Sequence, residues 1–260
     1  NFMIQIQNLF VTAGDKEILR GVSLDFELGK NYCLLGKNGS GKSTLSSVLM
    51  WYPKYEVTGW SITITSPQSS PSKGEEGAEN LIEMNPDERS QEGIFLSFQN
   101  IPEIKWVKLS EYLRTIYNIA EKQRNPDFAG LSPFLFKRFI KKQLEELHID
   151  EKFLDRDLNV GFSGWEKRKI EILQMKLIWP KYIILDEIDS WLDLDAFKTV
   201  ATMLQSLSSS ENSIIIITHY FTILEYIDVD RVFVMKEWKV VKQWGKELAK
   251  EVSENGFGEI

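Results

Sequence analysis

Nine consecutive residues, Gly36-Lys37-Asn38-Gly39-Ser40-Gly41-Lys42-Ser43-Thr44, set a glycine, a second glycine five positions on, a lysine and a hydroxyl at the spacing G-x-x-x-x-G-K-[ST]. Each residue type has a reason to be there. The glycines let backbone N–H groups turn inward around phosphates, Lys42 is placed to reach the β- and γ-phosphates, and the Ser43 hydroxyl suits magnesium. A helix beginning at this point adds the positive end of its dipole. The loop therefore implies binding of magnesium-ATP. Farther on, the apolar run 182–185 ends in the adjacent carboxylates Asp186 and Glu187. After a buried strand this is a phosphoryl-transfer arrangement, with Asp186 beside the metal and Glu187 facing the attacking water. His219 stands at the end of another apolar run, a strand-end position that makes it a candidate for the same site.

The elements that must position these groups are legible in the apolar pattern. Segments 3–7 and 22–26 alternate like half-buried antiparallel strands, whereas 32–35, 182–185 and 214–217 are short continuous apolar runs. Continuous runs suit parallel strands covered on both faces. Helical patterns fill 42–50, 109–120, 134–147, 166–177 and 197–207, so the chain reads as α/β with a parallel core sheet. The Ser/Pro/Gly-rich stretch around 65–80 reads as an exposed, mobile insertion. From 101 to 158 the pattern is helical without strands, which predicts an inserted helical lobe. The expected division is 1–99 and 169–260 for the two halves of a nucleotide-binding core and 100–168 for the lobe.

Bulk properties narrow the partners. The 260 residues are 43% hydrophobic, enough for a full core, and the net charge of -7 argues against nucleic acid as main partner. The single cysteine, Cys33, lies in an apolar run, so no disulfide forms within the chain and a buried structural thiol is expected. No apolar run approaches the ~20 residues of a spanning helix, and no basic start precedes an apolar segment. A soluble, cytoplasmic protein with no direct membrane insertion is expected.

These motifs, with Ser163-Gly164-Trp165-Glu166 ahead of the second carboxylate site, make the chain resemble the ATP-binding cassette (ABC) ATPases over nearly its whole length. The resemblance implies an ABC-type P-loop NTPase fold with a mixed core sheet, an N-terminal antiparallel β-subdomain and an inserted helical lobe. It makes Gln99 the glutamine that links the γ-phosphate and metal to the lobe, Ser163, Gly164, Trp165 and Glu166 the signature, and His219 the switch histidine. It also makes residues 190–193 the loop that meets a partner subunit. In this family two copies stack head to tail, each signature closing on the ATP held by the other. Within the family, Phe162-Ser163-Gly164, Glu166-Lys167-Arg168 and Thr218-His219-Tyr220 are similar to the SufC branch, the ATPases of iron–sulfur cluster assembly. That implies SufB- and SufD-like partners, on which the cluster is built, since one cysteine cannot supply a cluster site. The alternatives are an importer-type ATP-binding subunit and a nucleotide-binding regulator that does not hydrolyse ATP.

The sequence departs from the family in two respects. No aromatic residue stands at 11–14 to stack on adenine, and seven of the eight tryptophans fall where glycine or a turn residue is expected. Trp165 replaces a signature glycine and Trp191 the glycine of the interface loop, where an indole has no room. Trp51 follows a predicted helix end, Trp238 sits at a predicted hairpin, and Trp60, Trp106 and Trp244 are read as turn positions; Trp179, before Pro180, carries no signal. A single cause, UGA codons that mean glycine in the source, accounts for such a pattern. Genuine tryptophans would instead favour the non-hydrolysing regulator.

Overall fold

The computed structural model describes residues 3–50, 53–59, 61–65, 78–188, 194–219 and 222–245. The chain opens with β1 (Met3–Ala13), β2 (Lys16–Glu27) and β3 (Tyr32–Gly36), followed by α1 (Lys42–Leu49). Then come β4 (Glu56–Val57), β5 (Ile62–Thr65), β6 (Ala78–Asn80), α2 (Pro86–Gln91), β7 (Ile94–Ser97) and β8 (Ile104–Lys108). Three helices, α3 (Leu109–Arg124), α4 (Pro133–Glu146) and α5 (Gly164–Ile178), precede the return to the sheet, with β9 (Asp157–Leu158) between the last two. The chain continues with β10 (Tyr182–Asp186), α6 (Leu194–Gln205), β11 (Ser213–Thr218), β12 (Arg231–Lys236) and β13 (Lys239–Trp244).

The core sheet has the order β13-β12-β3-β11-β10-β7, parallel except for the antiparallel edge strand β13. Its central strands are buried at every position, and alternate residues serve two different layers. Cys33, Leu35, Ile183, Leu185, Ile214 and Ile216 pack toward the helices. Tyr32, Leu34, Tyr182, Ile184, Ile215 and Ile217 pack toward the antiparallel sheet β2-β1-β5-β6 and α1. Coverage on both faces is why these strands read as unbroken apolar runs. Strand β1, half exposed on one side, keeps the alternation.

Helix α1 carries Lys42 and Ser43, and it is held from its far end. The buried Arg89 of α2 donates to the carbonyls of Val48 and Leu49 at 2.6 and 3.1 Å, and through Nε to Met84 O at 3.0 Å. A cation on the last carbonyls of a helix complements its dipole. Burial lowers the Arg89 pKa to about 10, so the group stays charged at neutral pH.

The segment 101–158 contains strands after all: Ile104 pairs with Leu158 and Lys108 with Asp157, forming a short ribbon across the base of the lobe. It escaped the pattern because all five β8 residues are exposed, so there is no apolar face to detect. Trp106 lies inside β8, not in a loop, and Trp244 ends β13 opposite Val232, not in a turn. Residues 66–77 of the expected insertion, and Trp51, Trp60, Trp191 and the 190–193 loop, lie outside the described residues. Among the described residues no helix is long and apolar enough to cross a membrane.

Candidate nucleotide site

The phosphate loop leaves β3 at Gly36, where a side chain would collide: an added Cβ would lie 2.6 Å from both Met235 O and Ser40 Oγ. Gly39 and Gly41 take φ of 82° and 103°, and an added Cβ on Gly41 would meet the Leu19 side chain at 2.7 Å. Gly41 is also the N-cap of α1 and contributes no side-chain cap, so the first N–H groups of the helix face the loop. The buried Ser40 hydroxyl makes no hydrogen bond among the described residues, a donor suited to a phosphate oxygen. Lys42 is 3% exposed and its ammonium donates to Gly36 O at 2.7 Å and Lys37 O at 3.1 Å. A cation already desolvated at the floor of the loop interacts strongly with an anion placed there.

Behind the loop, Asp186 ends β10 at 6% exposure and accepts from Ser43 Oγ at 3.1 Å and Ser46 Oγ at 3.0 Å. Burial raises its pKa above the usual carboxylate value, against the two hydroxyl hydrogen bonds, which lower it. The oxygen-only set of Ser43 and Asp186 has the hard-ligand chemistry that magnesium takes.

At Glu187 the strand breaks. Its φ is 47°, and its N–H reaches Ile217 O at 2.8 Å. The carboxylate accepts from Gln99 Nε2 at 2.7 Å, with His219 Nδ1 at 3.6 Å and Lys42 Nζ at 4.0 Å from its other oxygen. Lys42, Ser43, Gln99, Asp186, Glu187 and His219, drawn from four separate segments of the chain, thus meet in one cluster. Asn38 and Thr44 lie on the same loop and helix start.

Two supporting groups were given no role in the site from the sequence. Ser46 is one, the second hydroxyl on Asp186, visible only as one helical turn beyond Ser43. The other is the buried pair Arg168–Glu171, at 2.6 Å. Arg168 donates to Ser97 Oγ at 2.6 Å, Phe98 O at 3.2 Å and Gln99 O at 3.4 Å, so α5 grips the main chain that carries Gln99.

The other predicted residues are not part of this cluster. Ser163 caps α5: Glu166 N–H donates to Ser163 Oγ at 3.3 Å, and Ser163 N–H to Glu166 Oε2 at 2.7 Å. An added Cβ on Gly164 meets nothing within 4 Å. The expectation that position 165 has no room for an indole does not hold within one chain, because Trp165 lies half-buried against the lobe with the Lys169 ammonium 4.9 Å from its ring. Trp179, read from sequence as carrying no signal, has φ of 46° at the end of α5.

Residues 19–190 match the family model described as ABC transporter. The chain belongs to the ABC family and is an ATPase of that family. Its relatives are SufC-like: it is 40% identical to the "Probable ATP-dependent transporter SufC" of Escherichia coli, covering 98% of each chain. It is 41% identical to the "Probable ATP-dependent transporter ycf16" of Cyanophora paradoxa over 98% of this chain and 93% of that one. Identity to the "Iron-sulfur cluster assembly protein SufC" of Plasmodium berghei is 38%, over 95% of this chain and 64% of that one. A nucleotide-free ATP-binding cassette from an ABC transporter shares the fold, with a TM-score of 0.72 at 22% identity, covering 98% of this chain and 96% of that one.

Proposed function

We propose that this chain is the cytoplasmic ATPase subunit of a Suf-type iron–sulfur assembly complex, turning over magnesium-ATP between two copies of itself and coupling closure to SufB- and SufD-like partners. The observation that carries the catalytic part is the convergence of Gln99, His219 and Lys42 on the Glu187 carboxylate. In this reading Gly36, Lys37, Asn38, Gly39, Ser40, Gly41 and Thr44 wrap the phosphates, and Lys42 exchanges its loop carbonyls for phosphate oxygens. Ser43, Asp186 and Gln99 would hold magnesium, which when bound offsets charge on the phosphates. Glu187 orients the attacking water and accepts its proton, while Gln99 and His219 fix the carboxylate in place. Residues 1–99 and 169–260 form the nucleotide-binding core and 100–168 the lobe.

The open face at Ser163, Gly164, position 165 and Glu166 closes on the nucleotide of the second copy. The Suf assignment is supported by the SufC names of the relatives, and Cys33, fully buried in β3, supports placing the cluster on the partners. The relatives' description as transporters favours, as a second reading, an importer-type subunit. Co-purification with SufB- and SufD-like proteins, against a membrane permease, decides between the two.

The catalytic assignment has its own test. Lys42→Ala should abolish ATP binding, whereas Glu187→Gln should bind ATP at parental affinity and lose turnover by about 10²- to 10⁴-fold. Normal turnover by Glu187→Gln would remove Glu187 from the role of base.

A further inference from the structure

Trp106, Trp179 and Trp238 have φ of 67°, 46° and 65°. That is the left-handed region, which glycine enters freely and which only a few per cent of other residues adopt, chiefly Asn, Asp and His. Asn8, His148 and Asn159 are such cases here. Tryptophan has no short polar side chain to bond the local backbone in that conformation. Yet three of the five tryptophans with described backbones occupy it.

Each of the three sits in a slot whose hydrogen bonding specifies glycine. Glu237 and Trp238 are the central pair of the hairpin turn joining β12 and β13, both at positive φ, which is the turn that takes glycine in its second place. Trp179 closes α5 with its N–H on Met175 O at 2.8 Å, and Pro180 follows, the order of a left-handed helix cap and a stop. Trp106 lies at the register break of the β8–β9 ribbon, its N–H on Asp157 Oδ2 at 3.0 Å, where a bulge takes a left-handed glycine. Two of the three side chains are not anchors: Trp106 is 92% exposed and Trp179 40%. Among the described residues no tryptophan belongs to the buried core, although large aromatics usually dominate cores.

We infer that the native protein carries glycine at positions 106, 165, 179 and 238, and by the same decoding at 51, 60, 191 and 244, the codon at each being UGA read as glycine by the source organism. The consequence for function falls at 165. With glycine there, nothing larger than backbone separates Gly164 from Glu166, and a neighbouring phosphate can approach the open N-terminus of α5. The indole at 165 lies instead half-buried against the lobe, beside the Lys169 ammonium.

Peptide mass spectrometry of the protein isolated from its source reads the residues directly, and glycine is expected at 179 and 238. A second arm uses the chain with tryptophan at every position. Trp179→Gly and Trp238→Gly should each raise the melting temperature by roughly 2–4 °C or more, and the alanine variants at the same positions by less, because alanine keeps the positive-φ penalty. For Trp238→Gly the gain is read net of the lost contact between the indole and the Arg20 guanidinium, 4.5 Å from its ring. Tryptophan in the native peptides at 179 or 238, or glycine variants that melt below their parent, would overturn the inference.

Discussion

In the proposed function the phosphate-loop cluster and the head of α5 are two halves of a catalytic apparatus, and they are built in opposite ways. At the cluster, side chains from β3–α1, the end of β7, the end of β10 and the end of β11 satisfy one another inside a single chain. At the head of α5, Ser163 and Glu166 satisfy each other as a capping box, and the space beside Gly164 is open. The first is satisfied within a single chain, and in the proposed reading the second is half of an interface. Under the proposed function a chain with this asymmetry would hold ATP by itself and complete its chemistry by meeting another copy.

Three changes sharpen the contrast. The largest effect is expected from Ser163→Asp. Asp caps a helix about as well as Ser, so stability should hold, but its charge would face the phosphates of the other copy. Turnover should fall by about 10²- to 10³-fold, the range for losing one transition-state donor, with ATP binding to the single chain unchanged. Kinetics set beside a melting curve and a binding titration check all three quantities.

An intermediate effect is expected at Arg168, which ties α5 to the carbonyl of Gln99. Arg168→Met alone leaves Glu171 buried and unpaired and should cost roughly 3–5 kcal/mol of stability. The double variant Arg168→Met/Glu171→Met should recover most of that stability. Its kcat should nevertheless stay roughly 2- to 30-fold low with KM little changed, the range for residues acting through another group. Recovery of kcat together with stability would make the pair structural only.

The smallest is a stability gain. Burial raises the Asp186 pKa, so folding disfavours its ionised form. Its stabilising contribution is complete below the unfolded value of 3.8 and is lost as pH rises through the higher folded value. Asp186→Asn should therefore melt above the parent at neutral pH, an advantage that disappears in acid, and should lose its response to magnesium. Thermal melts across pH, with and without magnesium-ATP, give both readings.

Legibility in the sequence followed the range of the contacts. The phosphate loop and the Asp186–Glu187 pair were readable because their geometry is set by adjacent residues on one strand or turn. The grip of Arg168 on residues 97–99 was not, since it joins segments about 70 positions apart and no local pattern records it. The β8–β9 ribbon was missed because every residue of β8 is exposed and β9 is only two residues long. The positive φ of Glu187 was equally hidden, and it contrasts with that of Trp238. Each such conformation costs on the order of 1–3 kcal/mol. At Glu187 the main chain is held by Ile217 O and the side chain by Gln99, so the strain aims a carboxylate. At Trp238 it shapes a turn whose carbonyl accepts from the Arg20 N–H of β2 at 3.0 Å. Trp179 followed by Pro180 could have been recognised as a helix cap, a signal obscured by the improbable residue in it.

The central claim, that a competent site takes its phosphate loop from one copy and its signature from another, is tested most directly by mixing two inactive variants. Ser163→Asp keeps an intact loop and Lys42→Ala an intact signature. Each alone should be inactive, and the equimolar mixture should regain ATP turnover, because a mixed pair contains one complete site. A mixture as inactive as its components, or full activity in Ser163→Asp alone, would contradict the account.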